Sequence, residues 1–219
     1  MSASCSRDAN PLNPTSRRQD VIELSAAIAT AVIHVLPLER FYPEVMEIVV
    51  ICIAWVGYLG YLLLKDRPRL AAMGFQREGL RPATFASLVV LGVASLGMAA
   101  YGLSQGTFRF NSNMLILLAL YPAYGWVQQW LIQGVLARQL ATRVPAWVTV
   151  VVTSAIFGSL HLPDMLATVG TFVLGLAVTP IYLRWRNVWP IGVIHAWLAI
   201  PLYFWVAGVD PWALAMQHR

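Results

Sequence analysis

The chain has 219 residues, 58% of them hydrophobic and only 11% charged, with a mean hydropathy of +0.65. That composition excludes an ordinary water-soluble domain, in which roughly a quarter of residues are charged. The net charge of +5 sits in the turns between apolar stretches, so it is read as a topological signal and not as a nucleic-acid footprint.

The first 19 residues are polar, include Pro11, Pro14, Arg17 and Arg18, and hold no apolar run that a signal peptidase would recognise. They are expected to form a cytosolic tail without fixed structure. Seven apolar stretches follow, at about 20–38, 45–64, 82–103, 113–137, 145–162, 165–183 and 188–207. Each approaches the roughly 18 to 25 residues needed to cross a bilayer core. Glu23, His34 and Pro37 interrupt the first. The expected fold is therefore all-α: a polytopic transmembrane helix bundle of about seven spans, with residues 20–207 as one domain and 208–219 as a short tail. Gly92, Ala94, Gly97 and Ala99 in the third span, and Gly170, Gly175 and Ala177 in the sixth, suit close approach of helices.

The turns test this count. Arg7, Arg17, Arg18, Lys65, Arg67, Arg69, Arg77, Arg81, Arg138, Arg143, Arg184 and Arg186 lie in the first segment or after spans two, four and six, and make up 12 of the 15 basic residues. Only Arg40, Arg109 and Arg219 fall on the other side. Excess Lys and Arg marks the cytoplasmic face, so the N-terminus is expected inside and the C-terminus outside, in a plasma or bacterial inner membrane. The basic stretch from Lys65 to Arg81 is expected to rest on anionic lipid headgroups, each base contributing about 1 kcal/mol near the surface. Cys5 and Cys52 fit neither a disulfide framework nor a metal site. Trp185, Trp189, Trp205 and Trp212 are expected as interfacial anchors.

Polar residues inside spans are costly in hydrocarbon and point to function. Gln128, Gln129 and Gln133 lie in the fourth span, His161 ends the fifth, and His195 lies in the seventh. Gln129 and Gln133 are four apart and share a helix face. Counted from the turn near Arg143 to Pro145, Gln129 stands about 21 Å up its helix and His161 about 24 Å up the next, so the two meet at similar depth. His195, about 13 Å beyond Arg186 by the same rise, joins them only if its span starts deeper or tilts. His34 belongs to no motif and is read as structural. Glu23, Glu44 and Glu47 are expected to be solvated or interfacial at span ends.

In order and spacing these residues resemble the CAAX-protease and bacteriocin-processing family of intramembrane glutamic endopeptidases. That family shows Glu-Glu-x-x-x-Arg on one helix, Phe-x-x-x-His on the next and His-x-x-x-Asn on a later one. Gln128-Gln129-Trp130-Leu131-Ile132-Gln133-Gly134 aligns with the first motif, Phe157-Gly158-Ser159-Leu160-His161 matches the second in full, and His195-Ala196-Trp197-Leu198-Ala199 matches the third at its His. The Met73-Gly74-Phe75 loop with Arg77, and the run from Gly175 to Trp189-Pro190, extend the likeness to about residues 70–200. The resemblance implies a glutamate that, helped by histidine, activates water against a peptide bond, with the second histidine and the asparagine holding the oxyanion. It implies prenylated or bacterial peptides and membrane proteins as substrates.

At the implied site both glutamates are Gln128 and Gln129, the arginine is Gln133 and the asparagine is Ala199. An amide orients water but cannot take its proton, and removing a general base costs roughly 10²- to 10⁴-fold in rate. Losing an oxyanion donor costs about 10² more. Replacing both partners of a buried ion pair by neutral groups also avoids stranding a charge, a penalty of roughly 3–5 kcal/mol. The chain is therefore expected to be weak or inactive as a peptidase and to bind a membrane-protein or lipidated-peptide partner, with no cofactor or metal. One alternative is an active endopeptidase using His161 and His195 with an atypical base such as Asp164. Another, of a different class, is a redox carrier with haem between the two histidines, which visible absorbance would reveal.

Overall fold

The structure, a computed structural model, describes residues 14–35 and 44–217. Cys5, Pro37, Arg40, Arg219 and most of the expected tail lie outside the described residues, as do the side chains of His34, Glu44 and Glu47. Among the described residues there are nine helices and no strand: α1 (Pro14–Val35), α2 (Glu44–Lys65), α3 (Arg67–Ala72), α4 (Leu80–Gln105), α5 (Ser112–Leu140), α6 (Ala146–Ser159), α7 (Met165–Trp185), α8 (Trp189–Ala207) and α9 (Pro211–Gln217). The all-helical expectation holds. Four of them, α4, α5, α7 and α8, are long and apolar enough to cross a membrane. Val49–Lys65 of α2 and α6 are shorter apolar helices. The first expected span, α1, is not among these: it begins at Pro14, inside the stretch read as a tail, and carries Arg17, Arg18, Asp20 and Glu23.

Local chemistry sets the boundaries. Asn111 accepts from the Met114 amide at 3.0 Å and starts α5; Asp164 does the same for α7 through the Ala167 amide, also at 3.0 Å. Each satisfies an orphan donor of a first helical turn. Gly106, at φ 69°, closes α4 in the left-handed region, where a Cβ would be strained. The second half of α5, Trp130–Ala137, and the end of α8, Leu202–Ala207, widen to π geometry. In α8 the widening follows Pro201, which has no N–H to give the helical ladder.

Alternate turns gather at opposite ends, as the charge pattern requires. At the basic end Val188 N donates to Gly74 O at 3.1 Å, Gln76 Nε2 to Arg186 O at 3.1 Å, and Asn187 Nδ2 to Gln76 O at 2.7 Å. At the other end Asn111 and Asn113 both donate to Asp210 Oδ2 at 3.0 Å. The main core, including Ile132, Phe157, Val178, Tyr182, Ile191 and Ile194, lies where α4 to α8 meet. A second cluster around Trp55, Met73 and Trp130 joins α2 and α3 to α5.

Not every expected packing glycine packs. Gly175 meets Ser154 across the α6–α7 seam, whereas Gly92 and Gly97 on α4 face open space. Gly125 and Gly192 make the tight α5–α8 crossing: a Cβ on Gly125 would lie 2.6 Å from the Gly192 carbonyl oxygen. The tryptophans read as interfacial anchors also tie helix ends together. Trp205 donates to Arg109 O at 2.7 Å, and Trp189 packs edge-on against Phe75 and Trp126.

Candidate active site

His161 follows the last turn of α6, which ends at Ser159 before Pro163. Its Nδ1 lies 3.0 Å from the Phe157 carbonyl oxygen and 3.3 Å from Thr171 Oγ1. The Thr171 hydroxyl proton goes to Ala167 O at 2.7 Å, so both neighbours of Nδ1 act as acceptors. Nδ1 therefore carries the proton in the neutral ring, and Nε2 is the acceptor nitrogen.

His195, from mid-α8, stands beside it with ring centroids 6.3 Å apart and planes at 74°. Phe157 packs edge-on against both imidazoles, at 5.4 and 5.0 Å. The depth left open by residue counting is thus resolved: the two histidines share one level. His195 is 5% exposed, and its Nδ1 is buried without a hydrogen-bond partner among the described residues.

The three glutamines separate. Gln128 lines the wall of a cavity of about 1420 Å³ that also holds His161, His195, Ala199, Asp164 and Tyr203. Gln129 is 0% exposed, and neither amide atom has a partner among the described residues. Gln133 is equally buried and donates through Nε2 to Thr179 Oγ1 at 3.1 Å, its oxygen unpaired among the described residues. Of the expected patch, then, Gln128 reaches the cavity with the two histidines while Gln129 and Gln133 turn into the protein.

Asp164, the candidate substitute acid, lines the same cavity, but both its oxygens are engaged. Oδ1 caps α7, and Oδ2 accepts from Tyr203 OH at 2.8 Å. Partial burial works to raise its pKa, yet the Ala167 amide, the Tyr203 hydroxyl and the nearby His161 outweigh it and hold the carboxyl below its ordinary value. A carboxylate held ionised in this way is a poor proton acceptor near neutrality.

Sequence reasoning missed a charged cluster beneath this site. Glu23, expected near solvent, is 3% exposed. Arg69 grips both its oxygens, from Nε at 2.6 Å and from a terminal nitrogen at 2.7 Å. Asp20 bridges Arg69 at 2.9 Å and Arg138 at 2.7 Å, and Tyr58 OH donates to Glu23 at 2.5 Å. Burial works to lower the Arg69 pKa, but Glu23 and Asp20 more than offset it and raise the pKa above its ordinary value. Two acids inside an otherwise apolar first stretch were the available signal; no spacing rule names their partners.

Comparison with known proteins bears on this region. A family model described as type II CAAX prenyl endopeptidase Rce1-like matches residues 110–200, less than half of the chain. Over these residues the chain is similar to that family. The match takes in all three motif segments, from Gln128 through His161 to Ala199, and agrees with the resemblance read from the residues. Neither the curated proteins nor the solved structures gave a match. Within the matched segment stand the imidazole pair and the phenylalanine that packs against it, with amides at Gln128, Gln129 and Gln133.

Proposed function

We propose that this is an integral membrane protein of seven spans, with its N-terminus cytoplasmic, that holds a membrane-embedded or lipidated peptide against the Gln128, His161 and His195 wall and cleaves it weakly or not at all. The observation that carries the reading is Gln128 on the cavity wall beside His161, at the position of the family's first glutamate. A carboxamide there can hydrogen-bond a peptide or a water but has no accessible protonation step. The cavity is otherwise mostly apolar, with Val90, Ala94, Leu174 and Leu198 on its walls, as a site for a hydrophobic chain with a few polar contacts would be. The topology rests on 12 of the 15 bases falling on one side and on the clustering of those turns at one end.

A second reading, residual peptidase action by the imidazoles alone, draws on the acceptor Nε2 of His161 and on His195 at 6.3 Å. Purified protein in proteoliposomes, given a fluorescent lipidated peptide, separates the two. Binding that needs the intact wall, with no cleavage above empty vesicles, is expected. Cleavage by the native chain that disappears in His161→Ala would establish the second reading instead.

A further inference from the structure

We infer that α1 is a lateral lid over the Gln128 and His161 wall, latched at its basic end by the Asp20, Glu23, Arg69 and Arg138 cluster.

A helix held in a bundle by packing buries one apolar face against its neighbours. In α1 the large side chains Val21, Ile22, Ile28, Val32 and Ile33 are all exposed. Beneath Leu24, Ala27 and Ala31 lies an apolar void of about 180 Å³, walled on its far side by Gln128 and His161. Lining atoms that face a void lack dispersion partners, so α1 gains little from the surface it covers. Its apolar contact is small, Ala27 against the Trp55 and Trp130 cluster. Further along, among the described residues, the Trp55 indole donates to Thr30 Oγ1 at 3.1 Å.

The strong attachment is polar and lies at one end. Arg69 takes Glu23 in a two-point grip, with nitrogen to oxygen distances of 2.6 and 2.7 Å. Asp20 is shared between Arg69 and Arg138, and Gln139 Nε2 donates to the Asp20 carbonyl at 2.7 Å. Two carboxylates and two guanidinium groups balance, and bidentate pairs fix orientation as well as position. A helix clamped by charge at one end, with a void under its middle, pivots about the clamp. Displacing it opens the void, and with it the Gln128 and His161 wall, toward lipid. This holds whether the site cuts a peptide or only binds one.

The test is a pair of distance measurements between spin labels on the full chain in lipid, with Cys5→Ser and Cys52→Ala removing the native thiols. One label pair, Val32→Cys with Val151→Cys, spans α1 and α6. The other, Val93→Cys with Val151→Cys, lies within the body. All three positions are exposed. The native latch is expected to give a single short α1–α6 distance. Asp20→Asn with Glu23→Gln should add a longer population while the body pair stays unchanged. Reversing the signs together, Glu23→Arg with Arg69→Glu, should restore part of the short population. An α1–α6 distance indifferent to neutralisation overturns the lid, and so does a shift of both label pairs together, which would mean general loosening.

Discussion

His161 and His195 stand 6.3 Å apart between ring centroids, although one follows the end of α6 and the other lies in the middle of α8. Phe157 touches both rings edge-on, and the tight Gly125–Gly192 crossing brings α8 against α5, where Gln128 sits. Two imidazoles and one amide are thus brought to a common wall by helix packing, with no carboxylate among the three.

Gln128→Glu and Gln129→Glu are expected to differ sharply. At 128 the new carboxylate faces the cavity with His161 and can act on water, so any cleavage of a lipidated peptide should rise by up to about 10²- to 10⁴-fold. At 129 it is fully buried at a position whose side chain has no hydrogen-bond partner among the described residues, where an ionised group is costly. That variant should lose stability without gaining rate. Initial rates and detergent melting temperatures decide it, and gain at 129 alone would place the reactive wall wrongly.

Replacing a buried amide tests its bonding. Gln129 has both amide atoms unpaired among the described residues, and each unsatisfied group costs about 1–3 kcal/mol, so Gln129→Met should be neutral or stabilising by up to that amount. Gln133→Met removes one unpaired oxygen but also a 3.1 Å bond to Thr179, so it should be less favourable than Gln129→Met by about 1 kcal/mol or more. Reversible unfolding in mixed micelles measures both. Equal effects at 129 and 133 would mean that Gln129 is bonded after all, for instance to buried water.

Asp164 offers a pH signature. Its folded pKa lies below the ordinary 3.8, so its contribution to stability is fully present above that value and is lost as pH falls through the lower, folded one. Asp164→Ala removes the α7 cap and should cost about 0.5–2 kcal/mol at neutral pH. The gap to the native chain should stay constant at neutral pH and narrow in acid. Tyr203→Phe, which removes only the 2.8 Å bond, should show a smaller gap with the same trend. A gap that grows on acidification contradicts the assignment.

Much of the bundle was legible because membrane spans are written in hydropathy and charge. The expected 82–103, 165–183 and 188–207 appear as Leu80–Gln105, Met165–Trp185 and Trp189–Ala207, each within a few residues. Residue counting puts Gln129 level with His161, but it is Gln128 that lines the cavity with His161, while Gln129 is buried. What composition could not convey was rotation about a helix axis and pairing across helices. Gln128 and Gln129 are neighbours in sequence, yet one faces the cavity and the other the interior, because the regular helical step turns adjacent residues about 100° apart and composition does not say which side faces inward. Likewise Glu23 looked like a solvated end residue because its partners, Tyr58, Arg69 and Arg138, come from α2, α3 and α5, and only packing brings them together. Gly92 and Gly97 satisfied a compositional rule for close approach while facing open space.

The α5–α8 crossing should be intolerant of a single methyl group. A Cβ at Gly125 would fall 2.6 Å from the Gly192 carbonyl oxygen and 3.0 Å from Ala196 Cβ. Neither obstacle is the movable end of a long side chain, so the helices must part by several tenths of an ångström. Overpacking of this kind costs about 1–3 kcal/mol, and Gly125→Ala should lower the melting temperature accordingly. Gly92→Ala, with nothing within 4 Å of the added carbon and no part in the cavity wall, should be neutral or stabilising by up to about 1 kcal/mol through reduced backbone entropy of the unfolded chain. Gln128 lies about one turn beyond Gly125, and His195 about one turn beyond Gly192, so the forced separation also widens the wall, and Gly125→Ala should weaken retention of a lipidated peptide where Gly92→Ala does not. Equal behaviour of the two variants in melting and in binding would show that the Gly125–Gly192 contact does not set the distance between the amide and the imidazoles.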